Sequence, residues 1–177
     1  MSAHERFEAL VMPHLDAAYN LARWLARSPD DADDVVQEAC MKALRYIDSL
    51  RGEEARAWFL AIVRNTFYDW ARRNRPQEIV HAEDEVLEQV ADEQAVGPEQ
   101  AALAAARTRT LAEEVERLPA HYREVIVLRE LEDLSYRDIA TITETPIGTV
   151  MSRLSRARAI LQQAPRLQEF SPSQGGA

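Results

Sequence analysis

Cysteine is scarce in this chain of 177 residues, with Cys40 as its single example. One thiol cannot form an intrachain disulfide, and it excludes a cluster of thiolates around zinc. No apolar run approaches the ~20 residues needed to cross a bilayer. The N-terminal residues His4, Glu5 and Glu8 also lack the basic-then-apolar layout of a signal peptide. We therefore expect a soluble, cytoplasmic protein that is not exported.

Glycine and proline are few as well, with five and eight residues respectively. No stretch shows the alternation of apolar and polar residues that is typical of strands. Long segments rich in Ala, Leu, Arg and Glu favour helices, because straight-chain residues lose little rotamer freedom there. The chain is long enough for one or two compact units. The sequence therefore predicts an all-α protein.

Basic residues are absent from residues 78–100, which carry eight acids and hold almost all of the formal net charge of -9. The flanking segments are nearly neutral, so the acidic total does not exclude a nucleic-acid partner. This stretch also contains Gly97-Pro98 and few large apolar residues. We predict an acidic flexible linker over 78–105, between helical domains at 1–77 and 106–163. Residues 164–177 are predicted to be a disordered tail.

Two strong helices are predicted in the first domain. One follows Ser28-Pro29, and its apolar residues recur at helical spacing. Its outer face carries Asp33, Asp34, Gln37, Glu38 and Met41. The other helix runs from about Ala55 to Arg73. Its core face is predicted to hold Phe59, Leu60, Val63, Phe67 and Trp70, and its opposite face Trp58, Arg64, Asn65, Tyr68 and Arg72.

The second domain ends in two short predicted helices, Ser135 to about Ile142 and Ile147 to Leu161, separated by a tight turn. Before them, Leu111, Val115 and Leu118 begin a predicted buried face. On the last helix the predicted inward stripe is Ile147, Val150, Leu154, Ala157 and Leu161, and the outward side is Thr149, Ser152, Arg153 and Arg156. This layout is that of a helix-turn-helix, and arginine can bridge two acceptors of guanine. An ordinary amphipathic helix with a solvated arginine face is the alternative.

Longer motifs point to a family. LPAHYREVIVLRELEDLSYRDIA, followed by PIGTVMSRLSRAR, resembles the −35-binding domain of bacterial sigma factors. DADDVVQEACMKALR resembles their helix that binds core RNA polymerase, and RAWFLAIVRNTFYDWARRNR resembles their −10 segment. The resemblance spans roughly residues 5–163. Since only these two domains are present, the chain is identified as a member of the extracytoplasmic-function group.

The resemblance implies a transcription initiation factor that acts in stress responses. Its partners would be core RNA polymerase, promoter DNA and an anti-sigma factor. It implies −35 contacts by Arg129, Ser152, Ser155 and Arg156, to which the outward side of the last helix adds Thr149 and Arg153. It implies contacts with the melted −10 strand by Arg64, Asn65, Tyr68, Arg72 and Arg73. Asp33, Asp34, Gln37 and Glu38 would bind a basic coiled coil of polymerase, although a solvated helix face is the alternative for them.

Two positions depart from the family pattern. Glu144 stands in the turn where relatives often have glycine, so the turn either strains this residue or adopts another conformation. Met151 replaces a basic residue that would contact phosphate, which should weaken DNA binding without changing what is read.

Other chemistry is not indicated. The four histidines, His4, His14, His81 and His121, lack metal-ligand spacing, and no glycine-rich phosphate loop is present. We expect no metal, no cofactor and no enzymatic activity. Two rival functions are a conventional helix-turn-helix repressor or activator and a helical adaptor without DNA contact. The aromatic and basic face of residues 58–73 argues against both, since neither needs to hold a single strand.

Overall fold

The computed structural model describes residues 1–52, 54–79 and 101–170, and within these ranges every regular element is helical. This agrees with the predicted all-α class. The first domain contains α1 to α4 and the second contains α5 to α9. The helices are α1 (Ala3–Leu10), α2 (Leu15–Ala26), α3 (Pro29–Tyr46), α4 (Ala55–Asn74), α5 (Ala101–Arg117), α6 (Ala120–Ile126), α7 (Tyr136–Thr143), α8 (Ile147–Gln163) and α9 (Pro165–Gln168).

The first domain is built on α2, α3 and α4, which pack against one another in pairs. Ser28 precedes α3, Pro29 occupies its first turn, and Asp30 and Asp31 place negative charge at the positive end of the helix dipole. The observed α4 begins at the predicted residue, Ala55, and ends within one residue of the prediction. Its predicted core side chains Phe59, Leu60, Val63 and Phe67 are buried. Trp70 is only partly buried, and the guanidinium of Arg75 lies 4.9 Å from its ring centroid.

The second domain packs α6 against α8, and α7 against α8. Val115 and Leu118 are buried as predicted, but Leu111 is 41% exposed, so its assignment to the core is wrong. Most of α5 before Leu111 is exposed as well. Helix α5 therefore packs its apolar side chains against the rest of the domain only near its C-terminal end.

The ends of the predicted linker and tail also differ from expectation. Residues 101–105, placed in the linker, belong to α5, whereas 80–100 lie outside the described residues. The predicted disorder from residue 164 is wrong for 165–168, which form α9. Arg166 in this helix forms ion pairs with Glu113 and Glu114 of α5. Residues 171–177 are outside the described range.

The turn between α7 and α8 has the geometry of a helix-turn-helix. Ser135 caps α7 as predicted, because its hydroxyl accepts a hydrogen bond from the Asp138 N–H at 3.1 Å. Glu144 ends α7 in the left-handed conformation, with φ 54° and ψ 41°. The alternative that the turn avoids positive φ is therefore wrong. A non-glycine residue carries a cost of roughly 1–2 kcal/mol in this conformation.

The two domains contact each other. Helix α4 packs against α7, and α2 packs against α6. As a consequence, the helix predicted to hold the −10 strand lies next to the helix-turn-helix of the same chain.

Candidate nucleic-acid interface

Helix α8 carries the predicted −35 face. Val150, Leu154, Ala157 and Leu161 are buried, as the predicted inward stripe requires. Ile147 is 46% exposed, so its place in that stripe is wrong. It is the first residue of α8.

The outward side of α8 is mixed in exposure. Ser152 and Ser155 are exposed, whereas Thr149, Arg153 and Arg156 are half-buried. The Nε atom of Arg153 is buried without a hydrogen-bond partner. Burial raises the pKa of Glu124, and the charge of Arg153 is among those that oppose this rise. Arg153 is therefore turned in part towards the boundary between the domains. Both serine side chains are exposed, where a duplex could reach them, and the Ser152 hydroxyl donates a hydrogen bond to the carbonyl of Thr149 at 3.2 Å.

Arg129, the remaining predicted −35 residue, is engaged within the second domain. Its guanidinium donates a hydrogen bond to the carbonyl of Leu134 and lies over the ring of Tyr136. Leu134 lies just before α7, and Tyr136 is its first residue. The arrangement gives Arg129 a positioning role at the start of the helix-turn-helix.

On α4, the predicted −10 residues fall into two groups. Arg72 and Arg73 are exposed near the C-terminal end. Arg72 pairs with Asp69 at 3.0 Å, and Arg73 pairs with Glu38 of α3 at 3.4 Å. These are surface pairs of low strength, which an incoming phosphate can replace.

The second group lies at the contact with the second domain. Arg64 forms a two-point ion pair with Glu124 of α6, through Nε to Oε2 at 2.9 Å and Nη2 to Oε1 at 3.2 Å. The Glu124 side chain is fully buried and that of Arg64 is 17% exposed. Arg64 also donates to the side-chain oxygen of Asn65 at 3.2 Å. The charge of Glu124 raises the pKa of Arg64 despite its burial.

Tyr68 departs from its predicted exposure, because only 7% of it is accessible. The guanidinium of Arg64 lies 4.4 Å from its ring centroid, and its buried hydroxyl has no hydrogen-bond partner. Burial, reinforced by the nearby charge of Glu124, raises the pKa of Tyr68 well above its usual range. The helical wheel placed Tyr68 away from the core of its own domain. In the folded chain the second domain lies on that side.

The predicted polymerase-binding residues lie together on α3. Asp33, Asp34 and Gln37 are exposed, and Glu38 is half-buried between Lys42 and Arg73. Their accessibility is compatible with the predicted contact and equally with a solvated face. The assignment stays a prediction.

Sequence reasoning missed the residues of the second domain that face the first. Arg123 and Glu124 are charged but buried, within an apolar run from Tyr122 to Leu128. Charged residues inside such a run were a visible signal, because a buried charge requires a partner. The run alone did not identify those partners in the other domain.

Cys40 is half-buried, and burial raises the pKa of its thiol, so it is mostly protonated near neutral pH. In the described part of the chain, no group of His, Cys, Asp and Glu side chains is arranged to hold a metal ion. No helix within the described ranges is both long and apolar enough to span a membrane.

Known families and proteins resemble this chain over both domains. Residues 10–77 match sigma-70 region 2, and residues 108–161 match sigma-70 region 4. The ECF RNA polymerase sigma-E factor of Haemophilus influenzae is 39% identical over 154 residues, covering 80% of this chain and 77% of that protein. The RNA polymerase sigma-H factor of Pseudomonas aeruginosa is 37% identical over 171 residues, covering 92% and 89%.

Two solved structures are similar in fold. One is the sigma factor RpoE in complex with the anti-sigma factor NepR from Bartonella quintana, with a TM-score of 0.62 and 31% identity over 93% of this chain and 95% of that chain. The other is CnrH in complex with the cytosolic domain of CnrY, with a TM-score of 0.60 and 26% identity over 88% and 84%.

Proposed function

The chain belongs to the extracytoplasmic-function group of the sigma-70 family, and from this membership we propose how its residues divide the work of promoter recognition. It is a transcription initiation factor that directs core RNA polymerase to specific promoters. It is not an enzyme itself, since polymerase performs the phosphoryl transfer. It contributes binding energy, which selects the promoter and stabilises the separated strands.

The −35 duplex is read by α8. Ser152 and Ser155 supply exposed hydroxyls, and Arg156 supplies a guanidinium that can bridge the two acceptors of a guanine. Thr149 and Arg153 lie on the same side of the helix. Arg129 acts indirectly, by fixing the segment before α7 through Leu134 and Tyr136.

The melted −10 strand is held by α4. A single strand is bound by cationic groups along its backbone and by aromatic rings under its bases, at ~1–3 kcal/mol per stacked base. Arg72 and Arg73 are exposed and supply the cationic part. Arg64, Asn65 and Tyr68 supply further donors and a ring once the second domain has moved away from them.

Polymerase docking is assigned to the acidic face of α3, formed by Asp33, Asp34, Gln37 and Glu38. A basic coiled coil of the largest subunits is the complementary partner. Three of these side chains are exposed, so they can reach another protein without rearrangement of the first domain.

An anti-sigma factor is proposed as a regulatory partner. Both similar solved structures are sigma factors in complex with such proteins, and this chain aligns with them over both domains. We also place the protein in the cytoplasm, where polymerase acts. The single, mostly protonated Cys40 fits a reducing compartment.

The observation that carries the proposal is the helix-turn-helix of α7 and α8 in the same chain as the cationic and aromatic face of α4. Run-off transcription with purified core polymerase, with and without the protein, tests it. Promoter-specific transcripts that depend on the protein are expected. Duplex binding without any effect on core polymerase would favour the conventional repressor or activator. Absence of both activities would favour the adaptor.

A further inference from the structure

One row of side chains on α4 faces the second domain. Arg56, Arg64 and Tyr68 are spaced by eight and four residues, which places them on one side of a helix. Arg64 and Tyr68 belong to the proposed −10 site. The second domain therefore covers part of the surface that the single strand would use.

The contact at Arg64 imitates the contact expected with DNA. Both oxygens of Glu124 accept hydrogen bonds from the guanidinium of Arg64. Arginine binds phosphate oxygens with the same two-point geometry. One guanidinium cannot make its Nε and Nη2 bonds to Glu124 and to a DNA strand at the same time.

Other polar groups join the two domains around this pair. Glu132 accepts a hydrogen bond from Asn20 at 2.6 Å and pairs with Arg56 at 3.1 Å. Arg123 donates to the carbonyl of Leu25 in α2 at 2.9 Å. Water can solvate these polar groups after the domains separate. Buried apolar residues of both domains also form one continuous cluster, so separation exposes apolar surface as well.

Arg153 connects the same place to the −35 helix. Its Nε is buried, and its charge acts on the Glu124 carboxyl, whose pKa is raised by burial and held back by the charges of Arg64 and Arg153. Glu124 therefore contacts Arg64 of α4 directly and interacts electrostatically with Arg153 of α8. A negative group in this position competes with DNA for Arg64.

From these contacts we infer that Glu124 is an internal competitor of promoter DNA, which holds a closed, self-inhibited form by occupying Arg64. This inference rests on the proposed −10 role of α4. In the open form Arg64 and Tyr68 become accessible, and Glu124 is solvated. Binding of the promoter strand shifts the population towards the open form, because it requires the exposed α4 face.

The domain arrangement can be measured without DNA, by the distance between spin labels at Ser49→Cys and Gln162→Cys in a Cys40→Ala background. Both labelled positions are exposed and lie in different domains. Glu124→Gln and Arg64→Gln each leave one partner of a buried pair unmatched. Each substitution is expected to raise the ratio of molecules with a long label distance (open form) to molecules with a short one (closed form) about tenfold or more. In the double variant, the change in the free energy of opening should be smaller than the sum of the changes in the two single variants.

Glu130→Gln is the matched control, since Glu130 pairs with Arg158 inside the second domain. It should leave the distances of the parent unchanged. Far-UV circular dichroism verifies that each variant retains its helices, and the two single variants test the same pair from opposite sides. Unchanged distances in both single variants, or strictly additive effects in the double variant, would overturn the inference.

A second measurement separates this inference from the proposed function. Fluorescence anisotropy of a labelled single-stranded −10 oligonucleotide is recorded with the full chain. Glu124→Gln should bind about tenfold more tightly than the parent, and Glu130→Gln should match the parent. If the distances lengthen but no protein binds the oligonucleotide, the −10 role of α4 fails while closure by Glu124 stands. If Glu124→Gln binds no better despite binding by the parent, Glu124 is not a competitor of DNA.

Discussion

The guanidinium of Arg129 lies 4.6 Å from the ring centroid of Tyr136, and it donates a 2.9 Å hydrogen bond to the carbonyl of Leu134. These contacts fix the segment between α6 and α7, where Asp133 has a φ of 52°. A residue with this conformation is held in place by its surroundings. Arg129 therefore stabilises the entry to the helix-turn-helix, whether or not it also contacts DNA.

Arg129→Gln is expected to destabilise the second domain by about 1–3 kcal/mol, because it removes a cation–π contact and a charge-assisted hydrogen bond. Thermal unfolding measures this change. Arg137→Gln, at an exposed site on α7, is the control and should unfold like the parent. If Arg129→Gln lowers promoter affinity but leaves the thermal unfolding unchanged, Arg129 contacts DNA directly and does not stabilise the domain.

Arg156→Ala should lose recognition of the −35 element, since a two-point arginine–guanine contact contributes ~1–3 kcal/mol of base discrimination. Affinity for core polymerase should be unchanged. Competition binding with matched and mutated −35 duplexes measures the effect. Arg158→Ala is the control: it removes an arginine that pairs with Glu130, and it should keep the discrimination of the parent. Equal discrimination in Arg156→Ala and the parent would place Arg156 outside the reading contact.

Met151→Lys is expected to tighten promoter binding and to steepen its dependence on salt. Met151 is 51% exposed on α8, so a lysine there can reach a phosphate. One more phosphate contact adds about 0.9 to the slope of log affinity against log salt. Titrations at several salt concentrations test this. A changed base preference at constant slope would mean that position 151 contacts a base.

Tyr68 requires a conservative substitution, because Tyr68→Ala would leave a cavity that costs about 3–5 kcal/mol by analogy with other aromatic truncations. Tyr68→Phe removes only the buried hydroxyl and keeps the ring, so it should change the stability of the chain by only about 1 kcal/mol. The ring can still stack on a base. Permanganate footprinting should show normal promoter opening for Tyr68→Phe and impaired opening for Tyr68→Ala at a temperature where both are folded. Normal opening by a folded Tyr68→Ala would remove Tyr68 from the −10 site.

The Arg64→Gln variant should close in a pH-dependent manner. Burial raises the pKa of Glu124, and Arg64 and Arg153 oppose this rise. Without the charge of Arg64 the pKa in the closed form rises further, while in the open form the carboxyl is solvated. The closed form then binds a proton more readily, so closure is favoured below the open-form pKa and is lost as pH rises through the closed-form pKa.

Label distances at pH 5 and pH 8 test this expectation, with a longer average at pH 8. Tyr68 lies beside Glu124 but does not titrate in this window, because burial holds its pKa well above the usual range. The Arg64→Gln/Glu124→Gln double variant is the control and should show a smaller pH dependence. A distance that lengthens on acidification would reverse the assigned sign and reject the mechanism.

Features of the fold that depend on contacts within one helix were predictable from the sequence. The start of α4 at Ala55 followed from its apolar periodicity, and the start of α7 followed from the capping hydroxyl of Ser135. The buried stripe of α8 was predicted except that Ile147 is exposed and Ala159, which was not in the prediction, is buried. In these cases short-range geometry determines the outcome.

Long-range contacts were not predictable in the same way. Tyr68 is buried at the boundary with another domain, and the partner of Arg64 is 60 residues away in sequence. A helical wheel compares residues within one helix and contains no information about what covers its outer side. For the same reason Glu124 was not predicted as a site residue, since its partner Arg64 belongs to the first domain.

One continuous stretch of the second domain is attached to the first domain at two points. Arg123 and Glu124 form the first point, and Glu132 forms the second. Glu132 lies eight positions after Glu124, and the intervening residues Val127–Leu131 form a π-helical turn, so the two anchors are at most about 12 Å apart along the helix axis, at ~1.5 Å per residue. Two anchors at this separation prevent the helix-turn-helix from swivelling about one residue. Release of one anchor loosens the other, so the domains should part in one concerted step instead of through a series of half-open intermediates.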